Sequence, residues 1–87
     1  MNHHHRKTLQ ALFSHPISAN ISFRDVVHVL TELGAEIDTR SGNRIGVTLN
    51  GHMAAFSHAN HTMPKEEVVE MRHFLQKCSI DPADYPA

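Results

Sequence analysis

Residues 44–57 read RIGVTLNGHMAAFS, and this stretch decides the fold. Its first half alternates apolar positions with small or polar ones, which is the pattern of a β-strand with one buried face. Asn50-Gly51 is the strongest hairpin signal in the chain, because a two-residue type I′ turn needs left-handed backbone at both positions. The turn also fixes the register of the two strands. The predicted facing pairs are Leu49–His52, Val47–Ala54 and Ile45–Phe56.

This register gives the hairpin two different faces. One face is apolar and is predicted to lie on the core. The other face carries small or weakly polar side chains, as expected of a surface left open for a partner. The residues of that second face are Arg44, Gly46, Thr48, Met53, Ala55 and Ser57.

Helical patterns lie on both sides of the hairpin. A helix is predicted to begin after Ser22, a good capping residue, and to end before Gly34, which suits a left-handed C-terminal position. The last helix starts at Pro64, since proline is well placed in a first helical turn. A first strand over residues 35–39 joins the hairpin through a turn at residues 40–43.

The two ends of the chain give weaker signals. A short helix is predicted over residues 7–14, because Leu9, Leu12 and Phe13 share one face and Pro16 ends it. Residues 1–7 are expected to be frayed. The tail from residue 81 to 87, with its two prolines, is expected to be extended or disordered.

These elements predict an α+β fold: a three-stranded antiparallel meander packed on helices in the order α-α-β-β-β-α. The chain has 87 residues, enough for a single domain with one core. That domain is predicted to span residues 1–80, with an extra N-terminal helix, a core of 22–80 and a flexible tail of 81–87. All three helices are expected to share the apolar face of the meander.

Charge and composition narrow the class of partner. The chain has eight Lys and Arg residues and nine Asp and Glu residues, a balance that argues against binding nucleic acid by bulk electrostatics. Nine histidines make the charge pH-dependent, since histidine ordinarily titrates near about 6.5. No apolar run approaches the roughly 20 residues that span a bilayer, so no membrane partner is expected. The single cysteine, Cys78, fits a reducing cytoplasm.

The middle of the chain resembles the HicA toxin family. The likeness covers roughly Phe23 to Ile80. It consists of Gly34, the short strand after it, a Ser-Gly turn, the two strands of the hairpin and the Pro-Lys start of the last helix. It implies a double-stranded-RNA-binding-domain-like fold and an mRNA-cleaving toxin of a type II toxin–antitoxin system. The implied partners are mRNA or structured RNA and a HicB-like antitoxin.

One position departs from the family pattern. The family's histidine, on which cleavage depends, follows a glycine and a small hydroxyl residue; here Gly42 is followed by Asn43 and Arg44. Arginine stays protonated at physiological pH, so Arg44 is unable to accept a proton as a general base. It retains the ability to bind a phosphate and to stabilise charge that develops on it. Whether the chain is an enzyme is therefore left open.

The remaining residues suggest a substitute set for RNA cleavage. The reaction needs a base, an acid and a cation on the phosphate. His58 and His61 are the candidate acid–base pair, with Arg44 as the cation. The alternative interpretation of this region is an ordinary polar loop. Arg40, Arg44, Thr48 and Lys65 are the candidate RNA-binding residues. Arg24 and Arg72 are further candidates for a phosphate track with Arg40 and Lys65, and the alternative for each of these cations is an ordinary solvated charge.

A metal centre is not expected. His52, His58 and His61 have a His-x5-His-x2-His spacing, but six residues along a strand span about 20 Å. Neither a metal nor another cofactor is predicted, and the oligomeric state is left open. The alternative to a toxin is a catalytically inactive RNA-binding or protein-interaction module.

Overall fold

The computed structural model describes residues 1–40, 42–57 and 61–87. Three helices and three strands follow one another as α-α-β-β-β-α, which confirms the predicted α+β class. The strands form one antiparallel sheet in the order β1-β2-β3. The elements are α1 (His3–Leu12), α2 (Phe23–Glu32), β1 (Glu36–Thr39), β2 (Arg44–Leu49), β3 (His52–Ser57), α3 (Lys65–Lys77) and a short 3-10 helix (Pro82–Asp84).

The β2–β3 hairpin has the register that the sequence predicts. Asn50 has φ of 52° and Gly51 has φ of 84°, the left-handed pair that a type I′ turn requires. The facing pairs are Leu49↔His52, Val47↔Ala54 and Ile45↔Phe56. The apolar side of the hairpin therefore lies on the core as expected, with Ile45, Val47, Leu49 and Phe56 buried.

The helices form two layers on that side of the sheet. Helix α2 packs against β1 and α3 packs against β3, whereas α1 packs mainly against α2 and α3. The prediction that all three helices share the sheet face is wrong for α1. Three strands at about 4.8 Å spacing make a face about 14 Å wide. Two helices, whose axes pack 8–10 Å apart, already fill it.

Helix α2 has the predicted ends. The Ser22 side chain accepts a hydrogen bond from the Asp25 backbone N–H, and Gly34 takes a left-handed φ of 98° after the helix. The segment before α3 is tied to the start of α2, since the Phe23 N–H donates to the carbonyl of His61 at 2.9 Å. This pairing fixes where the chain enters α3.

Helix α1 begins at His3, four residues earlier than predicted, so the expected frayed N-terminus is wrong. The Asn2 side chain caps the helix by accepting from the His5 N–H at 2.8 Å. The first turn is also held to α2, because the His4 ring lies 3.0 Å from the Asp25 carboxylate and the His5 ring is hydrogen-bonded to Glu32. These contacts join residues 21 and 27 positions apart and leave no local signal in the sequence.

The C-terminal segment is not extended as predicted. It turns through the 3-10 helix, where the Asp81 side chain accepts from the Ala83 N–H. The Gln10 side-chain amide donates to the carbonyls of Pro82 at 2.7 Å and Tyr85 at 2.9 Å. Contacts with α1 thus determine the conformation of this segment. None of the helices in the described part of the chain is both long and apolar enough to cross a bilayer.

Candidate nucleic-acid interface

The side of the sheet opposite the core is uncovered by the helices of the described chain. We call this side the open face. The exposures of its residues differ: Arg44 is exposed, Thr48 is half-buried, and Met53 keeps 70% of its surface exposed. The register places nine residues on the open face: Glu36, Asp38, Arg40, Arg44, Gly46, Thr48, Met53, Ala55 and Ser57.

Two arginines lie together at one end of the open face. The Arg40 N–H donates to the Arg44 carbonyl at 2.9 Å, which extends the β1–β2 pairing by one step. The two carboxylates of the face, Glu36 and Asp38, lie further along β1. The backbones of both arginines are therefore at one end, and the described residues of the face carry two positive and two negative side chains in all.

Arg40 turns back over the centre of the sheet. A β-carbon added to Gly46 would lie 2.7 Å from Nε and 2.8 Å from Nη2 of Arg40, closer than non-bonded atoms approach. The guanidinium thus occupies the place that a side chain at position 46 would take. Its Nε also lies 3.9 Å from the Asp38 carboxylate, so the side chain is held between a glycine and an anion.

The far end of β3 connects Arg44 to the start of α3. Ser57 pairs with Arg44 across the hairpin, and its N–H donates to the Glu67 carboxylate at 2.8 Å. Lys65 is the first residue of α3 and is exposed in the same helical turn as Glu67. Lys65 therefore lies near the β3 edge of the sheet, on a helix that packs against the core side.

The structure describes one of the two candidate acid–base residues. His61 is exposed, and its backbone is fixed by the hydrogen bond from Phe23. His58 lies outside the described residues. Arg44 pairs with Ser57, so it lies across the hairpin from the residue that precedes His58.

Arg72 is not available to a phosphate, and this part of the predicted track is wrong. Arg72 is only 8% exposed. Its Nε donates to the Leu12 carbonyl at 2.8 Å and its Nη2 to the Ser14 carbonyl at 2.9 Å. The guanidinium satisfies carbonyls at the C-terminal end of α1, which is a structural role.

Cys78 is not suited to act as a nucleophile. The side chain is buried at 1% exposure, and its Sγ lies 3.3 Å from the Leu49 carbonyl oxygen, which accepts its hydrogen bond. Burial raises the pKa of the thiol, against the smaller opposite effect of the Lys77 charge. Among residues 1–40, 42–57 and 61–87, no three His, Cys, Asp or Glu side chains are arranged to hold a metal ion.

Sequence reasoning missed the relation between Gly46 and Arg40. A glycine inside a strand often marks a close approach of another group to the backbone, and that signal was present. It does not say which group approaches. The residue that lies over Gly46 comes from the far end of the neighbouring strand, so only the fold identifies it.

Comparison of the chain with protein-family models gives no match, and comparisons with curated proteins and with solved structures give none either.

Proposed function

We propose that this protein is a HicA-like, RNA-binding toxin of a type II toxin–antitoxin system, acting in a reducing cytoplasm. The observation that carries the proposal is the open face, a sheet surface with two arginines on it and no helix of the described chain over it. Apart from the extra helix α1, the element order is the one that the resemblance implies. Its RNA ligand is an mRNA or a structured RNA, and a HicB-like antitoxin would cover the same surface.

The charge of the open face sets how such an RNA would be bound. Arg40 and Arg44 are the cations of the face that contact the RNA, Thr48 adds a hydroxyl on the same face, and Lys65 adds a positive charge at the edge of the sheet. Each phosphate contact to a single strand adds roughly −0.7 to the slope of log K against log salt, so two or three contacts predict a slope of roughly −1.4 to −2.1. Such binding depends weakly on salt, as expected of a chain with a net charge of −1.

Cleavage, where it occurs, would use the metal-independent chemistry of acid, base and cation. His58 and His61 are the proposed acid and base, and Arg44 is the proposed stabiliser of the charged phosphate. Because a guanidinium keeps its proton, Arg44 takes the place of the family histidine in position but not in role.

A cleavage assay tests this assignment. Purified protein is incubated with mRNA between about pH 5 and pH 8, the span over which histidine titrates. His58→Ala and His61→Ala are expected to lose activity, whereas His73→Ala, an exposed histidine on α3, is the matched control. Undiminished cleavage by both of the first two variants would remove these histidines from the mechanism.

The second candidate is a binding module without catalysis. Met53 is the specific observation in its favour, because a methionine that is 70% exposed on the open face is suited to contact another protein. RNA binding without cleavage at any pH, or tight binding of a HicB-like protein that Met53→Ser weakens, would favour this function over the toxin.

A further inference from the structure

We infer that Arg40 is a platform for an unpaired nucleobase, so that the RNA recognised by the open face is single-stranded. This inference rests on the proposed RNA binding and specifies its ligand class. It follows from where the Arg40 guanidinium is held and from how few cations accompany it.

The guanidinium is positioned before any ligand arrives. It lies over Gly46, in the space that every other residue type at position 46 would fill. Asp38 lies 3.9 Å from Nε and favours the same placement. The Arg40 side chain remains 47% exposed, so part of this planar group is available to a base. Arginine planes stack on nucleobases, and that contact is indifferent to base identity.

The neighbours of Arg40 on the open face suit a base better than a helix of RNA. Ala55 faces Gly46, and Met53 faces Thr48 in the next row. These are short or flexible apolar surfaces at the level of the guanidinium, on which a splayed base can lie.

The charges of the open face argue against duplex RNA. Double-stranded RNA is recognised mostly through phosphates and 2′-hydroxyls across its grooves, which calls for many cations. The face offers Arg40 and Arg44, with Glu36 and Asp38 as opposing charges. Stacking adds affinity that does not depend on net charge, and each stacked base typically contributes about 5- to 150-fold to binding.

Two substitutions separate the plane of Arg40 from its charge. Arg40→Lys keeps the positive charge and removes the planar group. Gly46→Ala keeps Arg40 and displaces it, and the fold is expected to tolerate the change because the atoms met by the new methyl group belong to the end of a flexible side chain. Lys7→Arg, which keeps the charge at an exposed position on α1, is the control.

The measurement is fluorescence anisotropy with a labelled single-stranded RNA and with a hairpin duplex of the same composition. Wild-type protein is expected to prefer the single strand. Arg40→Lys and Gly46→Ala are each expected to weaken that binding by about 5-fold or more, while Lys7→Arg leaves it unchanged. Melting curves establish that each variant is folded, and Arg40→Lys keeps the test decisive if Gly46→Ala unfolds.

The outcomes distinguish the inference from the proposal beneath it. Wild-type protein that binds neither RNA overturns the proposed function. If wild-type protein binds RNA but prefers the duplex, the proposed function stands and the Arg40 platform is overturned. The platform is also overturned if Arg40→Lys binds the single strand as tightly as wild type does. In that last case Arg40 acts as a charge alone.

Discussion

Replacement of Arg72 by methionine should destabilise the fold strongly. Methionine keeps an apolar stem in the buried site but removes the two hydrogen bonds to the carbonyls of Leu12 and Ser14, at 2.8 and 2.9 Å. Hydrogen bonds from a charged group contribute about 1.5–3 kcal/mol each. Part of this is offset, because the guanidinium no longer has to be desolvated. The free energy of unfolding is expected to fall by about 2–3 kcal/mol, a large share of the total of roughly 4–13 kcal/mol that is typical for a folded chain of this length.

Urea unfolding followed by circular dichroism measures this loss. With a slope of about 1–1.5 kcal/mol per molar urea, the midpoint should fall by about 2 M. The matched control is Arg24→Met, which changes an exposed arginine on α2 and should shift stability by no more than about 0.5 kcal/mol. Equal midpoints for Arg72→Met and wild type would refute the claim that Arg72 fastens α3 to the end of α1.

Three further predictions concern the hairpin, the first helix and the thiol. Asn50→Ala should lower the free energy of unfolding, followed by thermal melts, by about 1–2 kcal/mol, because it removes the 2.7 Å hydrogen bond to the Cys78 carbonyl and a residue that tolerates φ of 52°. An equal loss of stability in the control variant Asn43→Ala would contradict this. The pKa of the Glu32 carboxyl is lowered: burial alone would raise it, but the His5 hydrogen bond and the charges of His5 and the Met1 amino group outweigh that effect. Its stabilising contribution is therefore present above the ordinary carboxyl pKa and lost as the pH falls through the lowered pKa, so Glu32→Gln should be less stable than wild type near about pH 6 and the difference should shrink on acidification. A difference in stability that stays constant as the pH falls would count against the contact. Cys78 should react with a thiol reagent only after unfolding, and rapid labelling of the native protein would show that it is accessible.

The hairpin could be predicted in detail because its rules are local. Asn50-Gly51 specifies the turn, and the two-residue period then assigns every neighbouring side chain to a face. The ends of α2 were predictable for the same reason, since Ser22 and Gly34 act within one turn of the helix. The open face and the position of Arg44 on it follow from these same local signals.

The errors concern contacts that no local pattern in the sequence specifies. Arg72 reads as a solvated charge on a helix, and only the packing of α3 beside the end of α1 makes it a buried donor to residues 58 and 60 positions away. The early start of α1 depends on carboxylates of α2. The place of Arg40 over Gly46 depends on the pairing of β1 with β2. Such contacts have no period or spacing that a sequence could display.

The open face is the proposed RNA-binding surface. Titration of isotopically labelled protein with a short single-stranded RNA, followed through backbone amide shifts by NMR, tests this assignment. The largest shifts are expected on β1–β3, at residues such as Asp38, Arg44 and Met53, and α1 should change little. Shifts confined to the helical layers, or none at saturating RNA, would contradict it.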